Sequence, residues 1–311
     1  MIFAFVFPGQ GSQSVGMVHE LAGVYPEIRE TFHEANDALG FDLWRLVEEG
    51  PPETLNQTQI TQPAMLTAGI AVWRAWRAQG GATPGVVAGH SLGEYSALVC
   101  AEALSFADAL RLVADRSRFM QEAVPPGTGA MGAILGLSPT DVEKICLDAA
   151  QGEVVEAANF NSPVQVVVGG ATAAVDRALA LAKQKGAKRV LRLPMSAPSH
   201  CSLMRPAAAR MAERLQQTEI RVPRTPVINN VRAVAEQNPQ AIRDALARQI
   251  EAPVRWVQVV EKIVASGASC IFECGPGRVL TALGKRIVDS VEHAAISDSA
   301  SLRSALSAAA A

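Results

Sequence analysis

Gly89-His90-Ser91-Leu92-Gly93 constrains this chain more than any other stretch. It lies where a short apolar run, Val86 to Ala88, meets a helical stretch from Leu92 to about Ala101. A serine flanked by glycines at a strand-to-helix junction is the pattern of a nucleophile elbow. The tight turn demands small flanking residues and exposes the serine hydroxyl at the carboxyl end of the strand. The next backbone N–H, that of Leu92, points into the same space from a helix N-terminus, where partial positive charge gathers. The pattern arises by chance often, but seldom at such a junction, which favours function over an incidental turn.

The rest of the chain supplies the α/β context that this junction needs. Ile2 to Phe7 reads as a strand, and helices are expected over Tyr25 to Leu39, near Gln62 to Gln79 and from Ser105 to Ala123. Ser105 with Asp108 has the form of a capping box. Pro125-Pro126-Gly127 then changes the texture. A strand at Ala130 to Leu137, a helix from Ser138 to Ala150, strands at Val154 to Phe160 and Val164 to Val168, a helix from Thr172 to Gly186 and a strand at Arg189 to Leu193 follow. That order, β-α-β-β-α-β over about 65 residues, is the ferredoxin-like unit. After Pro194 the first pattern resumes, with a strand at Pro226 to Ile228, helices near Ala241 to Ile250 and Trp256 to Ala265, and a strand at Cys270 to Glu273. The expectation is a discontinuous large domain, 1–126 and 195–311, with a small domain, 127–194, inserted in it. The alanine-rich tail, Ser307 to Ala311, is expected to fray.

Composition narrows the function classes. The chain has 311 residues, 49% hydrophobic, with 28 Lys+Arg against 30 Asp+Glu, which excludes disorder and a globally basic nucleic-acid binder. No apolar run reaches the roughly 18 residues of a membrane-spanning helix. The start, Met1 to Phe7, lacks a basic region and runs into Pro8-Gly9, so it reads as a strand rather than a secretion signal. Cys100, Cys146, Cys201, Cys270 and Cys274 are odd in number and form no CxxC pair, which argues against disulfides or zinc and for a reducing cytoplasm.

A serine needs a base near neutral pH. Of the five histidines, His33 belongs to an amphipathic helix and His19 has no chemical neighbours. His90, inside the elbow, is placed to hold the turn or line a pocket. His200, in Ala197-Pro198-Ser199-His200-Cys201 between a strand end and a helix start, is the preferred base, with His293 second. No acid completes a triad convincingly. Glu273 is the nearest candidate, with a structural partner as the plainer reading, and a backbone carbonyl or an amide could orient the histidine instead. Pro8-Gly9-Gln10-Gly11 after the first strand allows close approach to a ligand, and the Gln10 N–H is a candidate second oxyanion donor. Gly127-Thr128-Gly129-Ala130-Met131-Gly132 fits GxGxxG but leads into a strand, so the dinucleotide reading fails. Cys201 is expected to be an inert, half-buried thiol. Lys183, Lys185, Lys188, Arg189 and Arg192 gather without an intervening acid, beside the pair Lys285-Arg286. They read as solvated helix ends or as a surface for anionic partners.

Phe7-Pro8-Gly9-Gln10-Gly11-Ser12-Gln13, Gly89 to Tyr95, Asn159 to Pro163 and Pro198-Ser199-His200 together resemble the malonyl-CoA:acyl-carrier-protein transacylases of bacterial type II fatty acid synthesis. The likeness runs from Phe3 to about Asp298. It implies an α/β-hydrolase-like catalytic domain with a parallel sheet, plus the inserted ferredoxin-like domain. It implies Ser91 as the acylated nucleophile, His200 as its base, and the Gln10 and Leu92 N–H groups as the oxyanion hole. Arg116 would grip the malonyl carboxylate, with Gln249 near the histidine. From spacing alone, Arg116 would pass for a solvated helix residue, although a planar guanidinium suits a carboxylate. The resemblance implies malonyl-CoA and acyl-carrier protein as partners, no nucleic acid, no membrane, no metal or redox cofactor, and a cytoplasmic monomer. The competing readings are an α/β-hydrolase-type thioesterase, a polyketide or malonate-decarboxylase transacylase, and a non-catalytic carrier-protein docking module.

Overall fold

The computed structural model describes residues 2–195 and 197–310. Among the described residues nine strands form two sheets: β1 (Phe3–Phe7), β2 (Val86–Gly89), β3 (Gly129–Leu135), β4 (Val155–Ser162), β5 (Gln165–Ala171), β6 (Arg189–Arg192), β7 (Val227–Ile228), β8 (Cys270–Cys274) and β9 (Glu292–Ile296). The larger sheet has the order β7-β2-β1-β8-β9, with every pairing parallel. β1, β2 and β8 are buried along their whole length, as strands covered by helices on both faces must be. Phe3, Phe5, Phe7 and Phe272 pack on one face with Trp76 of the helix Thr58–Ala78. Ala4, Val6, Ala88 and Ile271 pack on the other with the helix Trp256–Ala265.

The register places the site. Phe7 pairs with Gly89, so the loops after β1 and β2 leave the carboxyl edge of the sheet side by side. The N–H of His90 donates to the Phe7 carbonyl at 3.0 Å, locking the two exits together. Gln10 and Ser91 are therefore neighbours through adjacent parallel strands, the usual place for a ligand in an open α/β sheet.

The smaller sheet, in the order β4-β5-β3-β6, is antiparallel throughout. With the helices Pro139–Ala150 and Thr172–Gln184 it forms the βαββαβ unit anticipated from the sequence. Its core is separate, built on Ile134, Val142, Ile145, Val166, Val168 and Val175. The two parts are fastened by main chain: Phe160 N–H donates to the Val254 carbonyl and Val254 N–H to the Ala158 carbonyl, each at 2.9 Å. The Glu156 carboxylate accepts the Ser202 N–H and hydroxyl, each at 2.8 Å.

Two elements differ from expectation. The long helix expected near Gln62 begins at Thr58 and carries Pro63 inside it. A proline so near the N-terminus removes a single intrahelical bond, to the carbonyl of exposed Gln59. The alanine-rich tail is helical as far as it is described, in Ser299–Ala310. Alanine has the highest helix propensity, Ser301 and Asp298 cap the first turn reciprocally, and Leu302 and Ala305 bury against the large core. Ala311 lies outside the described residues.

Both elbow glycines are steric requirements. A Cβ on Gly89 would sit 1.9 Å from the Gly93 carbonyl, and one on Gly93 would sit 2.1 Å from the Phe7 carbonyl oxygen. Gly89→Ala is expected to push the helix Gly93–Cys100 off the sheet and lose about 1–3 kcal/mol or more. Thermal or denaturant melts check this, and an unchanged melting point would contradict it.

Candidate active site

Ser91 takes φ +53°, a left-handed conformation rare for a residue with a side chain. Such strain persists only where the surroundings over-determine it. Here Asn230 does so. Its Oδ1 accepts the Ser91 N–H at 2.6 Å and its Nδ2 donates to the Gly89 carbonyl at 2.7 Å. The turn thereby presents Ser91 Oγ to His200 Nε2 at 2.7 Å.

His200 is itself at φ +62° and is buried. Its Nδ1 lies 2.7 Å from the main-chain carbonyl of Gln249 and donates to it, which leaves Nε2 as the acceptor facing the serine. The orienting group is thus a carbonyl, one of the alternatives left open by the sequence, and the pair is a Ser–His dyad. Glu273 does other work: its carboxylate accepts the N–H groups of Leu280 and Thr281 and the Thr281 hydroxyl, capping the helix Val279–Ile287. His293 donates to the Val288 carbonyl at the far edge of the sheet. His19 pairs with Glu48, and His33 is exposed. Cys201 donates to the Pro198 carbonyl, and burial pushes its thiol up to about 12, so it is inert.

Arg116 is 1% exposed and reaches the elbow from the helix Phe106–Ala123. Nη1 donates to Gln62 Oε1 at 2.7 Å. Nη2 donates to Gln249 Oε1 at 3.1 Å and to Ser91 Oγ at 3.2 Å. Its Nε is buried without a partner among the described residues. Burial lowers its pKa from the usual guanidinium value. The cation faces neutral amides and a hydroxyl, and it lines a pocket together with Gln10, Ser91, Leu92 and His200.

His90 holds the second wall. Its Nε2 meets Asn161 Oδ1 at 2.8 Å and its ring packs edge-on against Trp256, tying the elbow to β4 of the small sheet. The pocket opens between the two sheets, with Met131, Val167 and Leu193 on the small-sheet side. Among the described residues neither the Gln10 nor the Leu92 N–H has a protein hydrogen-bond partner, and both line this space.

Sequence reading missed Gln62, Glu94 and Asn230 as site residues. Gln62 and Arg116 stood in view as polar residues on apolar helix stripes. Arg116 continues the buried series Ala109, Val113 and Met120, and Gln249 continues Ile242, Ala245 and Leu246. A polar side chain at core spacing is the signal that would have found Gln62, and that marks Arg116 and Gln249 apart from the resemblance. Asn230 lies in a turn and carries no such periodic signal.

Burial, and then the Arg116 guanidinium, lowers His200 to about 3. An unfolded His200 takes its proton near 6.5 and the folded one only near 3, so acidification through that window removes stability while the base stays neutral. The imidazole NMR signals of His200 are expected not to titrate from about pH 8 to about pH 5. Titration at the ordinary imidazole value would show a solvated ring.

A family model described as an acyl transferase domain matches residues 4–304. A malonyl CoA-acyl carrier protein transacylase of Salmonella typhimurium is 56% identical over 304 residues, covering 98% of this chain and 98% of that protein. The solved structure of the malonyl CoA-acyl carrier protein transacylase from Coxiella burnetii aligns with a TM-score of 0.97 at 50% identity, over 99% of this chain and 97% of that one. A malonyl-transacylase solved in complex with a type II PKS acyl-carrier protein aligns with a TM-score of 0.98 at 52% identity, over 99% of this chain and 100% of that one.

Proposed function

The chain belongs to the acyl transferase family, among the malonyl CoA-acyl carrier protein transacylases, and on that premise we propose how it works. It transfers a malonyl group from malonyl-CoA to the phosphopantetheine thiol of acyl-carrier protein, by way of a malonyl-Ser91 ester, and so supplies fatty acid synthesis. His200 Nε2 takes the Ser91 proton as Oγ attacks the thioester carbonyl. The Gln10 and Leu92 N–H groups hold the oxyanion of the tetrahedral intermediate. The C–S bond breaks, and the proton on His200 goes to the departing CoA sulfur. In the second half His200 takes the proton of the carrier's thiol, the sulfur attacks the ester, and the proton returns to Ser91. Gln249 orients His200 and Arg116, and His90 braces the turn. No step calls for a metal or redox cofactor.

One observation carries this reading: a buried guanidinium whose Nη2 lies 3.2 Å from the nucleophile and whose Nε has no partner among the described residues. An acyl group esterified to Ser91 and ending in a carboxylate meets that edge, with the charge-assisted bonding that a planar fork favours. An uncharged acyl group leaves the cation unpaired in a buried site, which is unfavourable.

The domain division at 127–194 within 1–126 and 195–311 and the cytoplasmic setting belong to the same proposal. The five cysteines are all free and buried, which supports a reducing compartment. No helix among the described residues is long and apolar enough to cross a membrane. Of the basic cluster, Lys185 pairs with Asp148 and Arg192 with Asp176, which fits a solvated surface for those two. Lys188 and Arg189, at the start of edge strand β6, are the residues proposed to meet the acidic carrier protein.

With holo-carrier protein present, label from malonyl-CoA is expected on the carrier thiol. Release of free malonate at the same rate without carrier would mark a thioesterase instead. Arg116→Ala is expected to lower malonyl transfer by roughly 100-fold or more while acetyl transfer falls far less. Retention of full malonyl preference would contradict the role of Arg116. Charge reversal at Lys188 and Arg189 should raise the apparent KM for carrier protein, most at low salt. An unchanged KM would remove them from the docking surface.

A further inference from the structure

Behind Ser91 lies a carboxyl group that the transfer steps do not use. Glu94 stands in the first turn of the helix Gly93–Cys100, three residues after the nucleophile, and is 2% exposed. A single oxygen, Oε2, accepts two hydrogen bonds: from the Asn230 N–H at 2.9 Å and from Gln249 Nε2 at 2.8 Å. Gln249 Nε2 also donates to the Ser91 carbonyl at 3.0 Å.

A primary amide has two N–H groups, and these two contacts take both, with Asn230 Oδ1 a longer third approach at 3.5 Å. The amide oxygen of Gln249 must therefore face the other way, where it accepts from Arg116 Nη2 at 3.1 Å. A flipped amide would set its NH2 against a guanidinium and its oxygen against a carboxyl oxygen, two repulsive contacts among side chains that are all buried. The orientation is therefore imposed from Glu94. The main-chain carbonyl of the same Gln249 holds His200 Nδ1, so one residue links the base, the cation and Glu94.

We propose that Glu94 is a positioning residue that fixes the Gln249 amide through Oε2 and thereby aims Arg116 at the carboxylate of the acyl group. The inference rests on the role given to Arg116 above, and it makes acyl-group selectivity depend on a residue that touches no substrate. What matters is the placed acceptor oxygen rather than the charge. Burial raises Glu94 to about 7, and a protonated Glu94 carrying its hydrogen on Oε1 still offers Oε2 to both donors.

Three variants separate the acceptor from the charge and from bulk. Glu94→Gln keeps an acceptor oxygen without the charge. Glu94→Met keeps size and removes the acceptor. Glu94→Asp keeps the charge and draws the oxygen back by one methylene. The readout is the ratio of kcat/KM for malonyl-CoA to that for acetyl-CoA, with holo-carrier protein as acceptor, on protein shown folded by its melting curve. A general loss of stability lowers both rates and leaves their ratio unmoved.

Glu94→Gln is expected within about threefold of the wild-type ratio, and Glu94→Met and Glu94→Asp roughly tenfold or more below it. A wild-type ratio in Glu94→Met or Glu94→Asp overturns the proposal, as does a Glu94→Gln ratio as low as theirs. If Glu94→Met does not accumulate as folded protein, Glu94→Asp decides. Wild-type protein in the same assay keeps the two questions apart. No malonyl transfer by the wild type would refute the proposed function itself, whereas transfer with an unmoved ratio refutes only the role of Glu94.

Discussion

A buried cation without a carboxylate directly on it is the constraint around which this site is arranged. Arg116 sits inside the protein with its charge shared among Gln62 Oε1, Gln249 Oε1 and Ser91 Oγ. Isolated charges are expensive to bury, and the expense is tolerable only with hydrogen bonds of good geometry. Each acceptor has therefore to be held in place by something else. Gln249 is held by Glu94 and by the Ser91 carbonyl, and Glu94 in turn receives the main-chain N–H of Asn230. Asn230 then fixes the strained turn that carries Ser91. The network closes on itself, and both Ser91 and His200 belong to it.

The same charge shapes the electrostatics of the base. Burial, and then the Arg116 guanidinium, hold His200 far below the ordinary imidazole value, so it waits as a neutral acceptor. An acyl carboxylate arriving at Arg116 would offset that cation and ease the path to imidazolium as Ser91 attacks. On the roles proposed for Arg116 and His200, acyl-group recognition and base strength are coupled through one side chain.

Much of this was legible in the sequence, and the reasons are local. The elbow was readable because two glycines at fixed spacing answer a steric demand within five residues, where an added Cβ would meet backbone at 1.9 and 2.1 Å. The small domain was readable because strand and helix periods alternate within one continuous stretch. His200 could be reached by elimination among five histidines. The orienting partner could not, because a backbone carbonyl has no residue type. Arg116 and Gln249 join the site across 133 positions of sequence, and only their place on apolar helix stripes hinted at burial. Glu94 falls within the stretch Gly89 to Tyr95, but its work depends on Asn230 and Gln249, which lie 136 and 155 positions away. The tail was misread because low complexity hides the apolar spacing of Leu302 and Ala305, which dock it.

The most direct measurement is to mix the protein with malonyl-CoA in the absence of carrier protein, quench, and locate the adduct by peptide mass spectrometry. A single malonyl group on the peptide bearing Ser91, absent in Ser91→Ala and discharged when holo-carrier protein is added before the quench, is the predicted result. Transfer to carrier protein that proceeds with no acyl group ever found on Ser91 would contradict the covalent mechanism.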